Sequence, residues 1–133
     1  MSKTVGNFTF HETSIEGVFV IDVKKYGDNR GYFMETYKEA DFKAAGLDYK
    51  FVQDNQSKSK AGVLRGLHFQ KTFPQAKLVR CLEGEVFDVA VDLRKDSPSH
   101  LPYVGEPKLC HQHHSDGGII KKTFLFIKRK SDR

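Results

Sequence analysis

The stretch Ala76–Arg94, AKLVRCLEGEVFDVAVDLR, decides the fold class. AKLVRCLEG is a short apolar run, and in EVFDVAVDLR the residues Phe87, Val89, Val91 and Leu93 recur at a period of two and face one way. Glu83-Gly84-Glu85 joins the two runs, so the spacing predicts a hairpin with one buried side. Lys77 opens the first strand on the same face as Val79 and Cys81. Its ammonium either reaches a pocket on that face or snorkels to water.

Upstream of this hairpin lies AGVLRGLHFQ, Ala61–Gln70, which reads as another strand. Arg65 and His68 are three residues apart in it, and strict alternation puts them on opposite faces. Gly66 lies between them, and a glycine inside a strand marks a bulge that re-aims one side chain toward the other. Both then line one pocket; the alternative is a structural histidine beside an edge arginine. YKFVQDNQS also alternates, with Phe51, Gln53 and Asn55 on one face. GVFVIDVKKY and GYFMETYK are rich in β-branched and aromatic residues, and GDNRG between them supplies a turn. KEADFKAAGL predicts one short helix, stopped at Gly46. Short strands separated by turn signals predict an all-β, antiparallel sandwich or barrel.

The chain of 133 residues is about one domain. Its net charge of +5 is uneven. Residues 1–98 carry 15 Lys+Arg against 14 Asp+Glu, whereas residues 99–133 carry 7 against 3. Charge gathered in a tail is not a phosphate-binding face, so no nucleic-acid partner is expected. No apolar run approaches the ~20 residues that cross a bilayer, and MSKTVGNFTFHE lacks the apolar core of a secretory signal. Cys81 and Cys110 show no disulfide-framework spacing, and the expected location is cytoplasmic, without a membrane partner. After RKDSPS the alternation stops, and Pro98, Pro102 and Pro107 fall close together. KKTFLFIKRK then offers one short apolar run between charge clusters, either a last edge strand or a segment that does not pack. Cys110, His111, His113 and His114 are sound zinc ligands, but they occupy one short segment with no second ligand pair at finger spacing. Within the domain His68 is followed by Phe69 and Gln70, not by the H-x-H and glutamate of a metal-binding cupin, so no metal site is expected.

GDNRGYFMETY, FVQDNQSKSKAGVLRGLHFQ and QAKLVRCLEGEVFDVAVDLRKDSP together resemble the dTDP-4-dehydrorhamnose 3,5-epimerase family, from about Thr13 to Pro98. The resemblance implies a cupin-like jelly roll, a homodimer and no cofactor. It implies epimerisation of C3 and C5 of dTDP-4-dehydro-6-deoxyglucose, a dTDP-4-keto-6-deoxyhexose, on the way to dTDP-L-rhamnose. It makes His68 the general base, and it makes Arg65 and Lys77 substrate-binding residues. Nucleotide and diphosphate contacts fall on Arg30, Phe33, Glu35, Gln53 and Asn55. The chemistry suits these residue types. A C4 ketone acidifies the protons at C3 and C5, and a neutral imidazole, with its usual pKa near 6.5, removes one at neutral pH. The resulting enolate needs a fixed positive group, which Lys77 supplies as a catalytic residue.

From Ser99 onward the chain has no counterpart of the family's A-H-G-F strand, of its reprotonating tyrosine or of the aspartate that orients the base. The expectation is therefore a partial cupin-like domain over residues 1–98, a divergent basic tail over 99–133, and a C-terminally truncated jelly roll with impaired activity. A frame change near Ser99 would produce such a break. The second reading is a non-catalytic sugar-nucleotide binding module.

Overall fold

The computed structural model describes residues 1–70, 72–95 and 97–98, together with two further strands, Tyr103–Leu109 and Thr123–Phe126, at the level of their backbone. The 110–114 cluster of cysteine and histidines lies outside the described residues.

Strands β1 (Ser2–Val5) and β2 (Phe8–Glu12) form a hairpin closed by Gly6-Asn7. Gly6 has φ +57°, the conformation that the first central position of a type II′ turn demands. A Cβ there would fall on the Asp41 carboxylate. β3 (Val18–Val23) pairs antiparallel with β2, setting Phe8 opposite Val23 and Phe10 opposite Ile21. Phe8, Phe10 and Ile21 are buried, and helix α1 (Glu39–Ala44) lays Phe42 on them. The Phe42 ring meets Phe8 at 5.2 Å, Phe10 at 5.1 Å and Tyr37 at 4.9 Å between centroids, all edge-on. Edge-to-face contact sets the positive rim of one ring against the negative face of the next. A helix of six residues has little stability of its own, so this packing holds it. Gly46, at φ +97°, ends it, and Lys3 Nζ donates to the Ala44 carbonyl at 2.7 Å.

β4 (Lys25–Asp28) and β5 (Gly31–Met34) form the second hairpin, turning through Asn29-Arg30 as GDNRG predicts. β6 (Lys77–Arg80) and β7 (Glu85–Val91) occupy the opening stretch, but they do not pair with each other. β7 instead pairs with β8 (Tyr103–Leu109), and β6 pairs with β9 (Thr123–Phe126). β9 also pairs with β3, giving a five-stranded sheet in the order β1-β2-β3-β9-β6. Within the 121–130 run Thr123–Phe126 is therefore neither an edge strand nor unpacked: it is internal to the sheet. Every ladder is antiparallel.

The buried side of β7 also differs from the expected one. Ala90 packs on Ile15, Val18 and Val20, and Asp92 is 4% exposed, whereas Phe87 is 62% exposed. Asp92 takes the inward place because Arg94 answers its charge, with Nε to Oδ1 and Nη2 to Oδ2 both at 2.8 Å. The same guanidinium donates to the Glu16 carbonyl at 3.0 Å, tying the end of β7 to the turn before β3. Hydrogen bonding to Asp92 raises the Arg94 pKa above its ordinary value, so the clamp stays charged.

Two substitutions test this core in equilibrium denaturation. Phe42→Ala is expected to cost about 3–5 kcal/mol, because it empties the site between helix and sheet. Arg94→Ala is expected to cost about 1–3 kcal/mol, because it removes both guanidinium hydrogen bonds from the buried Asp92 carboxylate and keeps the one from the residue-94 backbone N–H. A loss below about 0.5 kcal/mol in either variant contradicts the packing described.

Candidate functional site

Residues 52–70 and 72–76 form no strand, although both YKFVQDNQS and AGVLRGLHFQ alternate as strands do. A strand exists through its ladder, and among the described residues this segment pairs with no neighbouring strand. Its apolar residues consequently face water: Leu64 is 90% exposed, and Leu67 and Phe69 are 70% exposed. Gly66 is not a strand bulge; it adopts φ +110°, and the following backbone departs from alternation altogether. A Cβ at Gly66 would lie at ordinary contact distance from the His68 backbone nitrogen, 3.5 Å, and Nδ1, 3.6 Å, so it is the positive φ and not lack of room that favours glycine there. His68 and Arg65 are both exposed, and Arg65 Nε donates to Ser59 Oγ at 2.9 Å.

The other sequence-predicted residues sit on the hairpins and on the same irregular segment. Arg30 lies in the β4–β5 turn, where Nη2 donates to Asp28 Oδ2 at 2.6 Å and the backbone N–H donates to Oδ1 at 2.8 Å. These two hydrogen bonds from Arg30 hold the Asp28 carboxyl below its ordinary pKa. Phe33, on β5, is 70% exposed. Glu35 follows β5 and accepts from Asn7 Nδ2 at 3.1 Å, while Tyr26 Oη donates to Asn7 Oδ1 at 2.8 Å. Asn7 thus ties the N-terminal turn to Glu35; its place in a Gly-Asn turn after an alternating run was the signal available in the sequence. Gln53 Nε2 donates to Asn55 Oδ1 at 3.3 Å, a local contact made in irregular backbone rather than across the face of a strand. Lys77 is the first residue of β6 and is exposed. Its register partner in the sheet is Phe126.

The sequence profile of the dTDP-4-dehydrorhamnose 3,5-epimerase family matches residues 12–115. The chain belongs to this family. The family match continues past Pro98, the limit of the resemblance read from the motifs. The chain is 54% identical over 101 residues to the dTDP-4-dehydrorhamnose 3,5-epimerase of Methanothermobacter thermautotrophicus, covering 76% of this chain and 55% of that protein. With the enzyme of Shigella flexneri the identity is 53% over 96 residues, covering 71% and 53%. The chain spans about half the length of these curated relatives.

Among solved structures, the epimerase of Elizabethkingia anophelis superposes with a TM-score of 0.78 at 41% identity, over 92% of this chain and 64% of that one. An epimerase of Legionella pneumophila in complex with dTDP-4-keto-L-rhamnose gives a TM-score of 0.79 at 41% identity, over 91% and 61%. The chain is accordingly an all-β, cupin-like jelly roll with one short helix. Among the described residues no helix is long and apolar enough to cross a membrane.

The Asp28–Arg30 pair sets a pH dependence. A carboxyl whose folded pKa is lowered stabilises the fold above its unfolded pKa, and that contribution is lost as pH falls through the folded value. Carbon-detected NMR titration should find the Asp28 midpoint below the ordinary carboxylate range. Arg30→Ala should raise it toward that range while the backbone hydrogen bond remains, and an unshifted midpoint in both chains would remove the pair.

Proposed function

We propose that this chain carries the sugar-nucleotide site of a dTDP-4-dehydrorhamnose 3,5-epimerase and takes dTDP-4-dehydro-6-deoxyglucose as substrate. The observation that supports it most directly is the presence, with matching order and spacing, of the family's R-G-L-H and K-L-V-R motifs inside the 12–115 match. In this reading His68 takes a proton from C3 or C5 next to the C4 ketone, and Lys77 stabilises the enolate oxygen. Arg65 holds the sugar. Arg30, Phe33, Glu35, Gln53 and Asn55 hold the nucleotide and diphosphate. Arg30 and Lys77 offer exposed cations to the substrate's phosphates and enolate, and exposed Phe33 offers a stacking face to the thymine ring.

A lone exposed face is a poor place to stabilise an enolate, because water weakens the field of the lysine. The exposed apolar residues Phe33, Leu64, Leu67 and Phe69 lie on the segments that carry the site, and a second copy of the chain would exclude water from them. A homodimer therefore belongs to this proposal, as does a cytoplasmic location, which fits a nucleotide-sugar substrate. The same exposure favours one alternative, a module that binds the sugar nucleotide without turning it over. A division at Ser99 is not part of this proposal, because β8 and β9 pair with strands of residues 1–98 and the family match runs to residue 115.

Incubation with the 4-keto sugar nucleotide in D2O separates the two readings. Deuterium at C3 or C5 indicates proton removal, and its appearance without epimer product indicates a half-reaction. His68→Ala should abolish deuterium incorporation while leaving dTDP affinity within about tenfold, since the base touches the sugar alone. Incorporation at the parent rate in that variant would take His68 out of the mechanism. Lys77→Ala should slow incorporation roughly 10²- to 10³-fold, and Lys77→Arg should slow it less. A fully active alanine variant would make Lys77 a surface residue.

A further inference from the structure

Lys77 stands on β6, the outermost strand on its side of the five-stranded sheet. Among the described residues the only ladder that β6 makes is the one with β9. The register sets Lys77 opposite Phe126 and Arg80 opposite Thr123. The same four residues of β9 face β3 on their other side, with Val18 opposite Phe126 and Ile21 opposite Thr123. β9 is thus the one link in the described sheet between the lysine strand and β3, whose other neighbour β2 carries Phe8 and Phe10. It also lies beyond residue 115, where the family match ends.

We propose that Thr123–Phe126 is a positioning strand for Lys77: by pairing with β3 and β6 at once, it seats β6 on the sheet and so fixes the backbone from which the ammonium projects. The proposal rests on the reading of Lys77 as a site residue. Four residues with no neighbouring strand gain no ladder hydrogen bonds and lose conformational entropy on extending, so without β9 the segment Lys77–Arg80 keeps the packing of Leu78 on the core but, among the described residues, no ladder to hold its backbone extended. Residues 52–70 show that outcome within the same molecule: they alternate, find no ladder and stay irregular. A lysine on an unseated segment samples many positions, and electrostatic stabilisation of an enolate is lost when the donor moves by about an ångström. A segment outside the family match therefore does the work of a sheet strand beneath a family residue.

Successive N–H groups of an internal antiparallel strand point alternately to its two neighbours, so a proline in β9 removes a ladder bond outright. The test uses the full chain with Leu125→Pro. Backbone hydrogen exchange at residues 77–80 should accelerate at least about tenfold, while the β1–β2 hairpin keeps its protection. Deuterium incorporation into the 4-keto sugar should fall toward the level of Lys77→Ala, with dTDP affinity within about threefold. Unchanged protection at 77–80 overturns the proposal. Lost protection with undiminished incorporation also overturns it, and if Lys77→Ala is equally undiminished the failure belongs to the reading of Lys77 as a site residue. A second variant, Leu78→Cys with Leu125→Cys, checks the placement without weakening the strand. These positions are direct register partners, so oxidation should link them within one chain, mapped by peptide mass. Absence of that link overturns the proposal even if Leu125→Pro unfolds the protein.

Discussion

The structure depends on a ladder requirement: a strand persists only where a neighbour accepts and donates its backbone hydrogen bonds. β3 meets it on both sides, with β2 and with β9, and the buried residues Phe8, Phe10 and Ile21 gather on the β2–β3 pair. Helix α1 closes over that pair through Phe42. On the opposite face Ala90 packs on Val18 and Val20, and the Asp92–Arg94–Glu16 clamp holds the end of β7 to the turn before β3. The middle of the chain, residues 52–70, finds no ladder and lies exposed.

That distribution of order has a functional consequence. The residues that match the family's motifs fall on and just after the β4–β5 hairpin, on the exposed segment and on an outermost strand, not in the core. Arg30 is engaged by Asp28, Glu35 by Asn7, Arg65 by Ser59, and Gln53 by Asn55. Each of these contacts is polar and lies outside the hydrophobic core, so in the proposed site a ligand with a diphosphate and a sugar ring can displace them without disturbing that core. The exposed apolar residues around them mark where water has to be excluded before an enolate is stabilised.

Local signals were legible in the sequence, and nonlocal ones were not. The β4–β5 hairpin followed from GDNRG, and the helix with its stop at Gly46 followed from KEADFKAAGL, because turn and cap chemistry involve residues close in sequence. The pairing of β6 with β7 was misread because adjacency in sequence favours a hairpin, while the actual partners, β9 and β8, come from the tail. Period-two alternation overstated the strands at 52–70, since pattern describes which face a strand would bury and says nothing of whether a neighbour exists. The β1–β2 hairpin was missed although FTF after Gly-Asn was its signal, with only two aromatic residues marking the buried face. At the site, residue identities came through the motifs. Their environments did not, because the tie from Asn7 to Glu35 joins residues 28 apart in sequence.

The central claim is that these scattered, exposed residues form one sugar-nucleotide site. The most direct measurement is an NMR titration of the full chain with dTDP-L-rhamnose, following the His68 imidazole, the Lys77 ammonium and the Arg30 guanidinium together. The account predicts that all three signals move along a single binding isotherm. Movement of Arg30 alone, or of the three with unrelated midpoints, would contradict it.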